Sequence, residues 1–277
     1  MTGNITLTDH SSSHISIRGK SVWLFVVPAS ALVCLFALPL FALLWRAVEA
    51  GLMGQMLEPT ALSALRLSLL TSTLATLAAA LTGTPLAFAL ARWPFRGRAW
   101  LELLIDLPVV LPPAVAGLAL LMAFGRRGVF GGALSAAGIS LPFTTAAVVV
   151  AQAFVAAPLY VRAARIGFAS VDPQLEEAAY AEGANQWQLF RYVMLPVTGR
   201  AILGGLVLCW TRALGEFGAT ILFAGNLEGR TQTMPLAIYL GLERDLGVAL
   251  ALSALLLAIS IILLTILRRL ENSAVLS

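Results

Sequence analysis

Long apolar runs alternate with short polar connections along most of the chain. A run of about 20 apolar residues is long enough to cross a hydrocarbon layer roughly 30 Å thick as an α-helix. Six runs of this kind occur, at 22–45, 65–91, 101–124, 143–166, 200–224 and 246–267. The pattern therefore predicts an all-α, polytopic membrane protein with six transmembrane helices.

One polar segment, at 162–200, is about 40 residues long and rich in helix-forming residues. Asp172 suits an N-cap and Pro173 the first helical position, so a helix is predicted over 174–182. Gly183 suits a left-handed C-cap that ends this helix. A second helical stretch is predicted over 185–194, limited by Pro196. Two short helices joined at a glycine form a projection.

The composition of this projection favours contact with another protein. Three alanines leave a smooth surface that lets a partner approach the backbone: Ala178, Ala179 and Ala181. Four aromatic residues supply area of the kind that is enriched at interfaces: Tyr180, Trp187, Phe190 and Tyr192.

The overall composition leaves no room for a large soluble domain. Of the 277 residues, 59% are hydrophobic and 12% are charged, about half the charged share of a typical soluble domain. The first apolar run lacks a small-residue cleavage site, which favours a retained helix over a removed signal peptide. The predicted organisation is a disordered cytoplasmic tail (1–21), an additional first transmembrane helix (22–45), a transmembrane domain that contains the 162–200 loop (65–267) and a cytoplasmic tail (268–277).

The distribution of basic residues predicts the orientation. With six spans, eleven of the 18 Lys and Arg residues fall on the side that holds both termini, the 92–98 turn and the 162–200 loop. Six fall on the other side, including Arg126 and Arg127. Cytoplasmic loops carry the excess of positive charge. We therefore expect a multi-pass protein of the cell membrane with both termini in the cytoplasm.

Several function classes are disfavoured by what the sequence lacks. The net charge of +4 is mainly a topology signal, and no basic patch is interleaved with exposed aromatics, so no nucleic-acid partner is expected. His10 and His14 lie outside the apolar runs, while Cys34 and Cys209 lie inside them. No metal site, disulfide framework or catalytic residue is predicted. The chain has no Gly-x4-Gly-Lys-Ser/Thr phosphate loop, so it is not expected to be an ATPase.

The 162–200 loop carries a spaced motif. Glu177-Ala178-Ala179 is followed after three residues by Gly183, and after nine more by Val193-Met194-Leu195-Pro196. This spacing resembles the permease subunits of bacterial ABC importers, with Val193 where Ile is more usual. The resemblance implies a type I importer core in which the first loop helix is a coupling helix. It assigns coupling to the ATPase to Glu177, Ala178, Ala179, Gly183, Leu195 and Pro196.

The same resemblance implies an assembly. Two permease copies form a homodimer in membrane lipid, bind two ATP-binding cassette subunits, and receive substrate from an extracytoplasmic binding protein. ATP is used by the partner ATPase, and this chain is expected to bind no cofactor and no metal.

Other segments resemble permeases for tetrahedral oxyanions: 107–117, 124–128, 214–220, 224–226 and 231–239. Sulfate and thiosulfate permeases share Leu214-Gly215-Glu216-Phe217-Gly218, whereas 124–128 and 231–239 look closer to molybdate permeases. The resemblance therefore favours molybdate. Sulfate or thiosulfate is the alternative, and tungstate differs too little from molybdate in size and charge to be separated.

A doubly charged oxyanion needs a polar path, because burying an uncompensated charge costs many kcal/mol. Residues proposed for this path lie within the apolar runs: Thr82, Thr84, Gln152, Arg212, Glu216 and Thr220. The structural alternative for the hydroxyls is a bond to a neighbouring backbone group. Arg212 and Glu216, four residues apart on one helix face, either attract the anion or form a buried pair that holds helix register.

Prolines and glycines predict breaks in the spans. Pro108, Pro112 and Pro113 cannot all lie in an unbroken helix, and further weak points are Pro85, Pro158, Gly215 and Gly218. An ATP-independent secondary transporter is the competing class. It would predict inverted repeats with matching broken helices. No such repeat is evident in the sequence, and the 162–200 loop would have no explanation.

Overall fold

The computed structural model describes the backbone of residues 19–275 and the side chains of residues 24–270. These residues form α-helices, one π-helical segment and connecting turns. The described residues divide into two compact units, one ending at Trp45 and the other beginning at Arg46. The first unit holds most of helix α1 (Gly19–Glu49), which is continuous although Pro28 and Pro39 lie inside it. Helix α1 covers the apolar run 22–45 and also residues 19–21, which were expected in the tail, while residues 1–18 lie outside the described residues.

The second unit contains the remaining described helices. They are α2 (Leu52–Met56), α3 (Pro59–Arg92), α4 (Arg98–Val110), α5 (Pro113–Phe124), α6 (Gly131–Ala136), α7 (Thr145–Ala169), α8 (Pro173–Ala181), α9 (Gln186–Gln188), α10 (Leu195–Val197), α11 (Gly199–Leu214), α12 (Gly218–Phe223), α13 (Met234–Arg244) and α14 (Leu246–Val275). The π-helical segment, Leu189–Met194, joins α9 to α10. Helix α14 extends through residues 268–275, which were expected in a tail.

Four described helices, α1, α3, α7 and α14, are each long and apolar enough to span a membrane. Two bent pairs bring the possible number of spans to six. One pair is α4 with α5, bent by 118°, and the other is Gln186–Val197 with α11, bent by 72°. The predicted number of spans is thus compatible with the structure, but two of them are interrupted.

The third apolar run is interrupted at two prolines. Leu111 and Pro112 both have extended backbone angles, with ψ of 137° and 134°, because a residue before a proline is disfavoured in the α region. Pro113 then begins α5, where its missing N–H costs nothing. The predicted break is confirmed here. By contrast, α3 and α7 continue through Pro85 and Pro158.

The fifth apolar run, at 200–224, also consists of two helices, and the break falls at Gly215 and Gly218, which were predicted as weak points. Helix α11 ends at Leu214 and α12 begins at Gly218. The residues between them include Gly215, which sequence analysis named as a weak point, and Glu216, whose side chain bonds within the break. The polar contacts of Glu216 make the interruption a fixed feature of the fold.

Small residues let α3, α7 and α11 pack closely and form the main core. A Cβ on Gly83 of α3 would lie 2.9 Å from Val161 of α7, and a Cβ on Gly205 of α11 would lie 2.9 Å from Ala163. Lipid removes the hydrophobic drive for helix association, so close packing of this kind is the main attraction between membrane helices. Two smaller clusters extend the core, one of α5, α7 and α12 and one of α3, α11, α13 and α14.

Candidate functional site

We define the helical loop as residues 171–198. Its first arm is helix α8. The carboxylate of Asp172 accepts a 2.9 Å hydrogen bond from the backbone N–H of Gln174. Pro173 occupies the first helical position. Both start signals that the sequence predicted are confirmed, and they define where α8 leaves the end of α7.

The far end of α8 is closed by a left-handed glycine. The N–H of Ala184 donates to the carbonyl of Ala179, and the N–H of Gly183 donates to that of Tyr180, which is the Schellman pattern. Gly183 has φ of +85°, and a Cβ added to it would meet nothing within 4 Å. The predicted cap is confirmed, and it faces open space.

The second arm begins with a reciprocal cap. Asn185 Oδ1 accepts from the N–H of Gln188 at 2.9 Å, and Gln188 Oε1 accepts from the N–H of Asn185 at 2.8 Å. This capping box satisfies two donors that a helix start otherwise leaves unpaired. The angle between the two arms is therefore held by local hydrogen bonds at both sides of the turn.

The second arm runs further than predicted. Helix α9 passes into the π-helical segment, in which the N–H of Leu195 donates to the carbonyl of Phe190 five residues earlier. The wider π turn lies directly before Pro196, whose ring clashes with a normal helical carbonyl ladder. Pro196 lies inside α10 and is exposed, while Leu195 is half-buried. The bend comes two residues later, at Thr198, where α10 gives way to α11.

Helix α8 has two different faces. Glu176 and Ala179 are half-buried against the body of the protein, whereas Glu177 and Ala178 are exposed. Two consecutive glutamates therefore point to different surroundings. Of the predicted coupling residues, Glu177, Ala178 and Gly183 are available to another protein, and Ala179 packs against the main core.

Arg92, at the end of α3, also belongs to this region and was not predicted from the sequence. Its guanidinium lies 2.7 Å from Glu176 Oε1 and donates to the carbonyl of Val171 at 3.0 Å. It also lies 4.0 Å from the sulfur of Met194. The only signal in the sequence was a basic residue at the end of a long apolar run, which by itself indicates topology.

The aromatic residues of the loop divide between surface and interior. Tyr180, Trp187 and Tyr192 are exposed, as expected for an interface. Phe190 is not, because its ring packs edge-on against Phe88 of α3, with centroids 5.3 Å apart, and also lies 6.0 Å from Phe168 of α7. The expectation that all four aromatics present interface area is therefore wrong for Phe190, which instead anchors the loop.

Arg212 and Glu216 form the predicted pair across the end of α11. Arg212 Nη1 lies 2.7 Å from Glu216 Oε2, and Glu216 Oε1 accepts a 2.8 Å hydrogen bond from the N–H of Ala219. The Glu216 side chain is 1% exposed and that of Arg212 is 35% exposed. Both carboxylate oxygens are occupied, so this carboxylate bridges α11 to the first turn of α12.

Helices α5 and α12, which are distant in sequence, meet beside the break between α11 and α12. A Cβ on Gly117 of α5 would lie 2.8 Å from the carbonyl oxygen of Ala219, so α5 and α12 pack backbone to backbone. A third segment, 231–239, is held at a separate point, where the N–H of Met234 donates to the hydroxyl of Ser68 at 2.6 Å. The motifs that suggested an oxyanion permease are thus fixed to the core by close contacts.

The remaining polar residues proposed for a path lie in different surroundings. Thr82 is exposed and Thr84 half-buried, and each hydroxyl donates to the carbonyl four residues earlier. Gln152 and Thr220 are fully buried, and the amide of Gln152 and the hydroxyl of Thr220 have no hydrogen-bond partner. Gln152 and Thr220 therefore line no open path in this conformation, and the assignment of all four residues to a path stays a prediction.

Ion pairs between α4 and α7 form a further polar feature that sequence analysis missed. Arg162 Nη2 lies 2.9 Å from Asp106 Oδ2, and Arg165 Nη1 lies 2.7 Å from Glu102 Oε1. Glu102 also accepts from Arg98 at 2.8 Å within α4. Charged residues are rare within membrane spans and face the protein or water rather than lipid. This face of α4 and α7 is therefore not expected to meet acyl chains.

These features define a class: an all-helical, multi-pass membrane protein with interrupted spans and a capped helical loop that presents an exposed face. Residues 83–274 match the family of the binding-protein-dependent transport system inner membrane component. The chain belongs to this family, the permease components of ABC importers, and is a transport component rather than an enzyme.

Two relatives and one solved structure show the extent of the likeness. The chain is 41% identical to the molybdenum transport system permease protein ModB of Mycobacterium tuberculosis, over 86% of this chain and 90% of ModB. It is 35% identical to the sulfate transport system permease protein CysT of Escherichia coli, over 90% of this chain and 87% of CysT. A bacterial alginate ABC transporter, solved in complex with its pentasaccharide-bound periplasmic protein, has a similar fold. Its TM-score is 0.68 at 18% identity, covering 92% of this chain and 94% of the other.

Proposed function

We propose that this chain is the membrane-spanning permease of an ATP-driven importer that carries molybdate into the cell. The observation that carries the proposal is its 41% identity to a molybdenum permease over 86% of the chain, against 35% to a sulfate permease over a similar share. Segments 124–128 and 231–239, which look closer to molybdate permeases, support the same choice.

Sulfate or thiosulfate is the second candidate substrate. It is favoured by the likeness to the sulfate permease CysT and by the shared segment 214–218. Molybdate, tungstate and sulfate are all tetrahedral dianions, so the same permease mechanism serves any of them. Tungstate is so close to molybdate in size and charge that we expect it to compete.

The assembly that we infer contains two copies of this permease, two ATP-binding cassette subunits and an extracytoplasmic oxyanion-binding protein. The exposed outer face of α8 supports a partner at this surface, because Glu177 and Ala178 are exposed while the opposite face of the helix is held by the core. The excess of basic residues supports a cytoplasmic position for the helical loop and both termini.

In the proposed cycle, ATP-driven closure of the partner subunits moves the two α8 helices together and turns the central cavity outward. Hydrolysis then turns it inward. A rigid lever suits this task, and α8 is defined by hydrogen-bonded caps at both ends. Glu177, Ala178, Ala179, Gly183, Leu195 and Pro196 are the residues that we assign to coupling.

Of the six residues predicted for the path, Thr82, Thr84, Gln152 and Thr220 stay candidates, and Arg212 and Glu216 are weighed separately. For Arg212 and Glu216 the contacts support the structural alternative, because the carboxylate is occupied by both the guanidinium and a backbone N–H. An anion that engaged Arg212 would have to compete with a carboxylate tethered on the same helix. We therefore assign the pair to holding the break between α11 and α12.

The test is uptake of labelled molybdate into vesicles that contain this chain with its ATP-binding subunit and binding protein. We expect ATP-dependent uptake that competing sulfate barely reduces, and its loss in Gly183→Trp, which places a large side chain where the partner docks. Gly51→Trp is the matched control, since Gly51 also has a positive φ of +77° and open space around it. Uptake without ATP would refute the importer mechanism, and preference for sulfate would change the substrate only.

A further inference from the structure

Arg92 joins the end of α3 to both arms of the helical loop. Its guanidinium contacts the entry to the loop at the carbonyl of Val171, α8 at the carboxylate of Glu176, and the π-helical segment at Met194. These points are widely separated in sequence from Arg92. One side chain therefore connects three parts of the loop to a helix that is not adjacent to it in the chain.

The pair that Arg92 makes with Glu176 is largely withdrawn from solvent. The two side chains are 16% and 20% exposed, whereas the nearby Arg96 is exposed. Because the cost of desolvating two charges offsets much of their attraction, a buried pair is weak evidence for a gain in stability. The pair instead defines the position of α8 relative to the end of α3.

A second contact supports the same link. Phe88 lies four residues before Arg92 and therefore on the same face of α3. Its ring packs edge-on against Phe168 of α7 and Phe190 of the π-helical segment, with centroids 5.5 Å and 5.3 Å apart. The end of α3 thus holds the loop through a charged contact and an aromatic contact.

A displacement of the outer face of α8 also moves its inner face, because both faces belong to one helix. Glu177 is exposed and Glu176 is directed inward, and both belong to one capped helix of nine residues. Helix α3 extends 34 residues from Arg92 to Pro59, and near its other end Ser68 holds the start of α13. A movement that reaches Arg92 can therefore be passed along α3 to the opposite side of the protein.

We propose that Arg92 is a positioning residue that transmits movement of α8 to α3 through its contact with Glu176, and so couples the partner's ATP hydrolysis to opening of the path. This inference rests on the proposed importer function. It differs from docking of α8 on the ATPase, because it concerns the inner face of α8 and a contact within this chain.

The experiment uses the complete importer in vesicles, with wild type, Arg92→Gln and Glu176→Gln. It measures three quantities: the ATP-binding subunit that copurifies, the ATP hydrolysed, and the oxyanion transported per ATP. We expect near-normal copurification and hydrolysis, and a roughly tenfold fall in transport per ATP, which lies within the usual range of coupling between sites. Arg92→Lys should recover only part of the ratio, because the single ammonium of a lysine cannot contact Glu176, the carbonyl of Val171 and Met194 at the same time.

Two controls separate transmission from folding and docking. Arg96→Gln removes a neighbouring exposed arginine and should leave the ratio unchanged. Glu177→Gln changes the outer face of α8 and should instead reduce copurification of the ATP-binding subunit. The charge-reversal variant Arg92→Glu with Glu176→Arg should restore part of the ratio, since it rebuilds the ion pair in the opposite sense but not the bond to the carbonyl of Val171.

A second measurement does not depend on the substrate. On ATP binding, hydrogen exchange at residues 86–92 of α3 should change in wild type and in Arg96→Gln but not in Arg92→Gln, while exchange in α8 changes in all three. The inference would be overturned if Arg92→Gln kept the wild-type transport ratio and showed the same ATP-dependent change in hydrogen exchange at residues 86–92 as the wild type. The inference would also be overturned if Arg92→Gln failed to assemble with the ATP-binding subunit, and if the charge-reversal variant restored assembly without changing the transport ratio. Failure of the wild type to transport molybdate or sulfate would count against the proposed function. The hydrogen-exchange measurement would still decide the role of Arg92.

Discussion

Gly218 lies so close to Pro113 that a Cβ on the glycine would be 2.5 Å from the Cβ of the proline. These residues begin α12 and α5, the second halves of two interrupted apolar runs. Four residues into α5, Gly117 makes a similarly close approach to Ala219. The break before α5 and the break before α12 therefore lie against one another. Their close approach requires small residues on both helices, such as Gly117 and Gly218.

Gly218→Ala should destabilise the permease. An added methyl group has no room against Pro113, and overpacking of a close contact typically costs about 1–3 kcal/mol. The thermal unfolding temperature of the purified protein should fall. Gly132→Ala is the matched control, because a Cβ at Gly132 of α6 meets nothing within 4 Å. Equal unfolding temperatures for both variants would show that α5 and α12 separate without cost.

Glu216 should contribute to stability through two separable contacts. Glu216→Gln keeps an acceptor for the N–H of Ala219 but removes the charge that pairs with Arg212, whereas Glu216→Ala removes both contacts. We expect stability to fall in the order wild type, Glu216→Gln, Glu216→Ala. The second step should cost about 1–3 kcal/mol, because it leaves a buried N–H without a partner.

Arg212→Gln tests the same pair for a role in transport. If the structural assignment is correct, this variant loses thermal stability, and the folded fraction transports with an unchanged affinity for the anion. A stable variant with intact ATP hydrolysis and reduced oxyanion flux would instead place Arg212 in the path. Measuring the unfolding temperature and the uptake on the same preparation separates these two results.

Ser68→Ala should release the start of α13 from α3. The Ser68 hydroxyl accepts a 2.6 Å hydrogen bond from the N–H of Met234, and Ser68 is fully buried. Leaving that donor unpaired should cost about 1–3 kcal/mol. Ser63→Ala is the control, because the Ser63 hydroxyl donates to the carbonyl of Thr60 in its own helix and so joins no second element. The comparison is the difference in unfolding temperature, and no difference would mean that Met234 finds another acceptor.

Features that depend on neighbours in sequence were predictable. The caps at Asp172 and Gly183 and the break at Pro112 and Pro113 follow from local backbone chemistry, and all were predicted. Gly215 and Gly218 were named as weak points, and the break after Leu214 falls at these residues, whereas the bonds of Glu216 within it were not predicted. An apolar run indicates how many hydrophobic residues are available to span a membrane. It does not indicate whether a tertiary contact interrupts the helix.

Features that depend on distant residues were not predictable from one sequence. Arg92 and Glu176 are an ordinary basic and an ordinary acidic residue until the fold brings them together. The ion pairs between α4 and α7, such as Asp106 with Arg162, were missed for the same reason. Phe190 was assigned to the surface because aromatic content does not distinguish a residue that meets a partner from one that anchors its own helix.

The orientation of the chain leads to a prediction on which the importer mechanism depends. Arg96, in the turn between α3 and α4, and Glu228, between α12 and α13, are both exposed, and the positive-inside rule places them on opposite sides of the membrane. A membrane-impermeant thiol reagent should therefore label Glu228→Cys in right-side-out vesicles and Arg96→Cys only in inside-out vesicles. Both variants are made in a Cys34→Ser background, because Cys34 is exposed on α1 whereas Cys209 is buried, and this background without a new cysteine is the blank. Reversed labelling would place α8 outside the cell, where no ATP-binding subunit could reach it, and would exclude the proposed coupling.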